Sequence, residues 1–187
     1  MRNRPRPREE LYAGIADALA GEGWTAVPGF VDSRLLATLA AECFALWSDG
    51  AFRRAGTGIG ETWQIRPEVR SDCVLWLDPA GLSAAQRRYF ELLEQLRRRI
   101  NQTLFLGLFE FEGHFTVYPP GAFYKKHLDR FRGARHRLVS CILYLNEDWR
   151  REDGGALRLY TDERDESATV DIHPEGGTLV AFLSERC

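Results

Sequence analysis

The chain has 187 residues, 44% of them hydrophobic and 12% aromatic, and its 25 Lys and Arg against 27 Asp and Glu leave a formal net charge of −2. This composition supplies a core for one domain and excludes a chain disordered throughout. The near-neutral balance offers no footprint for nucleic acid or an anionic membrane surface, and no apolar run approaches the ~20 residues of a membrane span.

The chain opens on Arg2, Arg4, Arg6 and Arg8 interleaved with Pro5 and Pro7. Acidic residues follow instead of the apolar stretch a secretory signal needs, so residues 1–8 read as a solvated basic tail and residues 9–187 as a single domain. Leu11, Ile15, Ala18 and Leu19 recur at helical spacing over 9–20, and Gly21 ends the run. A short strand over 24–27 precedes Pro28-Gly29. Asp32 or Ser33 can then cap a second helix with the stripe Leu36, Leu39, Ala40, Cys43 and Trp47. The glycine-rich stretch 50–60 reads as a loop and 74–77 as a strand. Ser83 and Gln86 form a capping box for a helix reaching about residue 101, with the stripe Tyr89, Leu93, Leu96, Ile100 and Leu104. The cysteines (Cys43, Cys73, Cys141, Cys187) form no Cys-x-x-Cys pair, which argues against a zinc ribbon and suits a reducing cytoplasm.

After Gly107 the apolar period changes to two. Phe109, Phe111, Phe115 and Val117 fall on one face, and Glu110, Glu112, His114, Thr116 and Tyr118 on the other. Further strands are expected over 123–127, 137–145, 156–160, 168–172 and 178–183, separated by turn signals such as Pro119-Pro120-Gly121 and Gly176-Gly177. Helices first and short strands after give an α+β chain, a sandwich or jelly roll backed by N-terminal helices.

His127-Leu128-Asp129 is the triplet that can carry chemistry. Residues two apart on an extended chain point to one side, so an imidazole and a carboxylate can meet at one ion. With a second histidine they form the facial triad of non-haem Fe(II) oxygenases. Alone, the same triplet is also what a hydrogen-bonded surface pair looks like.

From Phe115 the chain reads FTVYPPGAFYKKHLDRF, then RLVSCILYLNEDW, GGALRLY and VDIHPEGGTLVAFLSE. This succession resembles the 2-oxoglutarate- and Fe(II)-dependent dioxygenases of the prolyl 4-hydroxylase type, in the branch of bacterial and oxygen-sensing prolyl hydroxylases. The resemblance implies a double-stranded β-helix and the cofactors Fe(II) and 2-oxoglutarate, with ascorbate as an auxiliary. It implies His127 and Asp129 as metal ligands and Tyr118 and Tyr144 as residues lining the 2-oxoglutarate pocket. Asn146 and Trp149 match shape-setting positions, a turn and a packing anchor. The implied reaction is hydroxylation of a substrate C–H bond, with succinate and CO2 as co-products. A protein or peptide prolyl residue is the favoured substrate; free amino acids and small peptides are the other classes.

One departure stands out. The family's second iron histidine, and the basic residue that pairs with the distal carboxylate of 2-oxoglutarate, fall after the Phe-x-Ser strand, and the sequence given ends at Cys187 before either. The last two barrel strands are therefore expected to be missing. His173 lies in a turn before Gly176-Gly177, not at the ligand position, and His114 and His136 read as surface or hydrogen-bonded histidines. The rival to a working oxygenase is a non-catalytic jelly-roll remnant or binding module lacking the third iron ligand. A cupin-like barrel shares the architecture but not the Tyr-Leu-Asn-x-x-Trp pattern.

Overall fold

The computed structural model describes residues 8–58, 60, 63–129, 137–162 and 164–185. Residues 1–7 of the expected tail, together with His136 and Cys187, lie outside the described residues. Arg8 already belongs to helix α1 (Arg8–Gly21), whose buried Tyr12, Ile15, Ala16 and Leu19 keep the i, i+3, i+4, i+7 spacing of one face. The Arg8 guanidinium donates to the Phe30 carbonyl at 3.0 Å, which ties the start of the helix to the core.

Helix α2 (Ser33–Ser48) is capped by Asp32, whose carboxylate accepts from the Leu35 amide at 2.8 Å. Helix α3 (Ala84–Leu104) opens on the expected capping box, with Ser83 and Gln86 bonded reciprocally at 3.1 and 3.2 Å. The same two side chains donate to Glu42 of α2 at 2.8 and 3.1 Å, so the cap also locks two helices together. The buried ridge of α3 is Leu92, Leu96 and Ile100. Tyr89, Leu93 and Leu104, expected as part of the central stripe, flank it and are only partly buried.

Strand β8 (Leu179–Leu183) lies between β1 (Trp24–Val27) and β5 (Val139–Leu143) in an antiparallel sheet. Its sequence LVAFL is apolar without alternation because both its faces are covered. Leu179 and Ala181 join the helices' core, while Val180 and Phe182 pack against Leu159 and Ile172. The latter two belong to the hairpin of β6 (Leu157–Tyr160) and β7 (Thr169–Ile172). The result is three layers: helices, the β1–β8–β5 sheet, and the hairpin. A third sheet joins β2 (Arg53–Arg54), β3 (Cys73–Trp76) and β4 (His114–Val117). The described strands form these three sheets and no closed barrel.

Two expected strands differ. The run expected from residue 109 is strand only over His114–Val117, and Phe109 is 90% exposed. The cause is the exit from α3: Arg97 and Asn101 donate to the Leu108 carbonyl while Asn101 also accepts the Leu108 amide, so side chains take up backbone groups that a strand partner would use. Segment 123–127 makes only one bridge, Tyr124 to Arg70. Its backbone bonds go to Ser71 and Val69. In the stretch 50–60, Ala55 bonds to Asp72 and Thr57 pairs with Gln64 through two bonds of 2.8 and 2.9 Å, so part of that loop is held in register. Cys43, Cys73 and Cys141 are free thiols; Cys43 and Cys73 are half-buried and Cys141 is exposed.

Candidate metal centre

His127 and Asp129 converge. The imidazole Nε2 lies 3.0 Å from Asp129 Oδ1, while Nδ1 lies 2.8 Å from the Lys125 carbonyl. A carbonyl only accepts, so Nδ1 carries a proton; Nε2 faces the carboxylate, donating to it when protonated and presenting a lone pair when not. Two acceptors at that separation repel unless a cation stands between them. A proton on Nε2 can serve, and so can a metal ion.

Asp129 is held from its other side as well. Ser140 of β5 donates to Oδ2 at 2.5 Å, and Ser140 Oγ lies 3.0 Å from the hydroxyl of Ser184, which is fully buried just past β8. Burial by itself would raise the Asp129 pKa. Hydrogen bonds from His127 and Ser140, with the charges of His127 and Arg137, outweigh it and hold the carboxyl below its usual range. The carboxylate form is the ligand form.

Behind the histidine the rings form a stack. Tyr124 lies 3.5 Å from the His127 ring at 16°, and the Arg70 guanidinium lies 4.0 Å over the other ring in line, that of Tyr124. Arg70 in turn makes a two-pronged ion pair with Asp72, at 2.8 and 2.5 Å, with Asp72 fully buried. None of Arg70, Asp72, Tyr124 and Ser140 had been singled out as a site residue. The available signal was a second charged pair at i, i+2, Arg70-Ser71-Asp72, which a sequence reading files as a surface pair until Tyr124 is seen to join it to His127.

Tyr118 follows β4. The register pairs Trp76 with His114 and Val74 with Thr116, so the next rung on that face sets Tyr118 beside Asp72. Tyr118 is half exposed, yet the packing around the rest of the residue desolvates its phenol and pushes it up, and the Asp72 charge adds to the effect. Tyr144, at the end of β5, shares the inner face with Ser140 and Ile142 and packs against Leu159, Ile172, Val180 and Phe182. Burial pushes its phenol up to about 12. The backbone positions it: Tyr144 bonds both to Thr178 and to Gly177 across the Gly176-Gly177 turn. A Cβ at Gly176 would stand 2.4 Å from the Asn146 carbonyl, and Gly177 has φ +81°, so that turn needs both glycines. Asn146 closes it by donating to the Pro174 carbonyl at 2.7 Å. His173 stacks on Trp149 at 5.0 Å, and His114 packs tilted against Trp76 at 4.6 Å, each accounted for by an aromatic neighbour.

The donor set suits a hard-to-borderline divalent cation: one imidazole with a fixed tautomer, and one ionised carboxylate with one oxygen turned to it. Among the described residues no group of three or more His, Cys, Asp and Glu side chains gathers in a metal-holding arrangement; this pair offers two donors.

Residues 113–187 match the family model described as the 2OG-Fe(II) oxygenase superfamily. The fold superposes on the crystal structure of a Pseudomonas putida prolyl-4-hydroxylase with a TM-score of 0.83 and 42% identity, covering 93% of this chain and 87% of that one. It also superposes on a prolyl hydroxylase from Trichoplax adhaerens, solved with a hypoxia inducible factor oxygen degradation domain peptide fragment, with a TM-score of 0.77 at 23% identity, over 95% and 80% of the two chains. Human Egl nine homolog 1 is 26% identical over 185 residues, 92% of this chain; the chain spans 41% of that protein's length. The expected helix-backed β-helix architecture and the oxygenase resemblance are both borne out, and the chain belongs to the 2OG-Fe(II) oxygenase superfamily, in its prolyl 4-hydroxylase-type branch.

Proposed function

We propose that this protein hydroxylates a prolyl residue of a protein or peptide, using Fe(II) and 2-oxoglutarate, with His127 Nε2 and Asp129 Oδ1 as two of the iron's protein ligands. One observation carries the reading: these two acceptors are brought within 3.0 Å by a fixed tautomer on one side and a serine bond on the other. Iron and 2-oxoglutarate together supply the oxidant for the C–H bond, with succinate and CO2 as co-products.

The chain's own residues hold, orient and keep water out. Tyr118 and Tyr144 are the donors assigned to the co-substrate. Burial raises both phenols, so each keeps its proton at neutral pH and can donate to a carboxylate oxygen. Leu159, Ile172, Val180 and Phe182 line the apolar side of Tyr144 and exclude water from it. A peptide would approach along the face of β3 and β4 that carries Trp76 and Tyr118, 52% and 51% exposed, because that face runs up to Asp72, Arg70 and the ring stack on His127. Exposed aromatic rings at a site mouth suit the flat, apolar prolyl ring. The names of the Pseudomonas and Trichoplax proteins support the substrate class. No helix is long and apolar enough to cross a membrane among the described residues, and the free thiols suit a reducing cytoplasm.

The test is turnover. Purified protein is incubated with Fe(II), 2-oxoglutarate, ascorbate and proline-containing peptides, and succinate is measured beside peptide mass. Succinate together with a peptide heavier by one oxygen atom is expected, and His127→Ala should abolish both. Binding of metal without succinate release from any peptide would move the protein to the non-catalytic binding-module reading.

A further inference from the structure

We propose that Ser140, backed by Ser184, is a positioning residue for the metal: it occupies one carboxylate oxygen of Asp129 and so leaves the other as a single-oxygen ligand. The proposal rests on His127 and Asp129 forming the metal site. Asp129 has two equivalent oxygens and a side chain free to rotate, so an unrestrained carboxylate would present either oxygen, or both, to a cation. Here they are made unlike. Oδ2 accepts from Ser140 at 2.5 Å, and Oδ1 faces His127 Nε2 at 3.0 Å.

The direction of the hydroxyl chain follows from the ionised carboxylate. Asp129 has no proton to give, so the Ser140 hydroxyl must donate to it. Ser140 Oγ is then left with acceptor capacity, and the Ser184 hydroxyl 3.0 Å away fills it by donating. Ser184 is fully buried, with its amide bonded to the Leu138 carbonyl, and its hydroxyl has no water to turn to. The phase of the sheet makes the arrangement. Ser140 pairs with Phe182, and Ser184 continues the Val180–Phe182 face, so both hydroxyls lie on the inner face that Tyr144 and Ile142 also occupy. They are the polar end of a surface that is otherwise apolar. In that setting the bond to Asp129 is shielded from competing water, which is where an outer partner of a ligand has most effect.

The experiment titrates Mn(II) into the full chain and follows the free-ion electron paramagnetic resonance signal, with unfolding midpoints taken on metal-free samples. Ser140→Ala should weaken Mn(II) binding by about 10–100-fold and lower the midpoint, because the buried Ser184 hydroxyl loses its partner; Ser140→Thr, which keeps a hydroxyl, should restore both. Ser184→Ala should give a smaller loss, and adding it to Ser140→Ala should change nothing further, because the link to Asp129 is already cut. Wild-type affinity in Ser140→Ala, while His127→Ala binds no Mn(II), overturns the role of Ser140 and leaves the site standing. Equal binding by wild type and His127→Ala overturns the site itself, and the proposal with it. If Ser140→Thr regains the midpoint but not the affinity, the serine acts through folding alone and the proposal fails.

Discussion

Strand β8 (Leu179–Leu183) and the segment from Tyr118 to Asp129 both border the proposed metal site, yet they are held there by different forces. Strand β8 is paired on both edges and covered on both faces, with Leu179, Val180 and Ala181 at 0% exposure. The segment before Asp129 has a single bridge to Arg70 and scattered backbone bonds, and it takes its place through side chains: Asp72 on Arg70, Arg70 on Tyr124, Tyr124 on His127. A ladder with apolar faces tolerates local change because many small contacts share the load. A run of polar and stacked groups depends on each member. The proposed ligands are thus carried by the part of the fold with the fewest redundant contacts, as suits residues that must fit an ion.

The largest expected effect breaks that run at its buried end. Asp72→Ala leaves Arg70, whose side chain is 16% exposed, beside an empty carboxylate position, and loss of one partner of a buried pair costs about 3–5 kcal/mol. Urea unfolding should show that loss, and Mn(II) affinity should fall with it because the ring stack behind His127 is released. Leu179→Ala removes a fully buried side chain from the other region and should cost about 2–5 kcal/mol, while Mn(II) affinity of the folded protein stays at the wild-type value. If both variants lower metal affinity alike, the two regions are one mechanical unit and the contrast is wrong.

The same division explains what could be read in advance. Both periodicities were visible, so the helices, β5 to β8 and the Asp32 and Ser83 caps follow from pattern alone. The convergence of His127 and Asp129 was legible because its geometry is local. Ser140 is eleven residues from Asp129 and forty-four from Ser184, and Arg70 meets Tyr124 across fifty-four positions of chain. Such partners are brought together by sheet register, which single-sequence periodicity does not encode. The failed strand over 123–127 has the same origin: turn signals bound it, but its backbone meets Ser71 and Val69 instead of a second full strand.

The smallest effect sets the buried Arg70–Asp72 pair beside its solvated counterpart on α3. Glu94 accepts from Arg97 Nε and Nη2 and from Arg98 Nε, each at 2.8 Å. The Arg97 hydrogen bonds, opposed by partial desolvation and joined by Arg98, lower its pKa from 4.5 to about 2. A carboxyl depressed on folding stabilises the native state above its unfolded value, and that contribution disappears as pH falls through the folded value. The window is therefore pH 4.5 down to about 2. With a side chain 31% exposed, water and salt screen the network, so its worth should be that of a surface pair, about 0.5 kcal/mol. Glu94→Gln should be less stable than wild type by that amount at neutral pH, and the two proteins' unfolding midpoints should converge as the buffer is taken down through the window. A gap that persists unchanged at its lower end would show that Glu94 acts through packing and helix shape instead of charge, and the contrast between a buried pair that governs the site and an exposed one that barely registers would then lose its electrostatic basis.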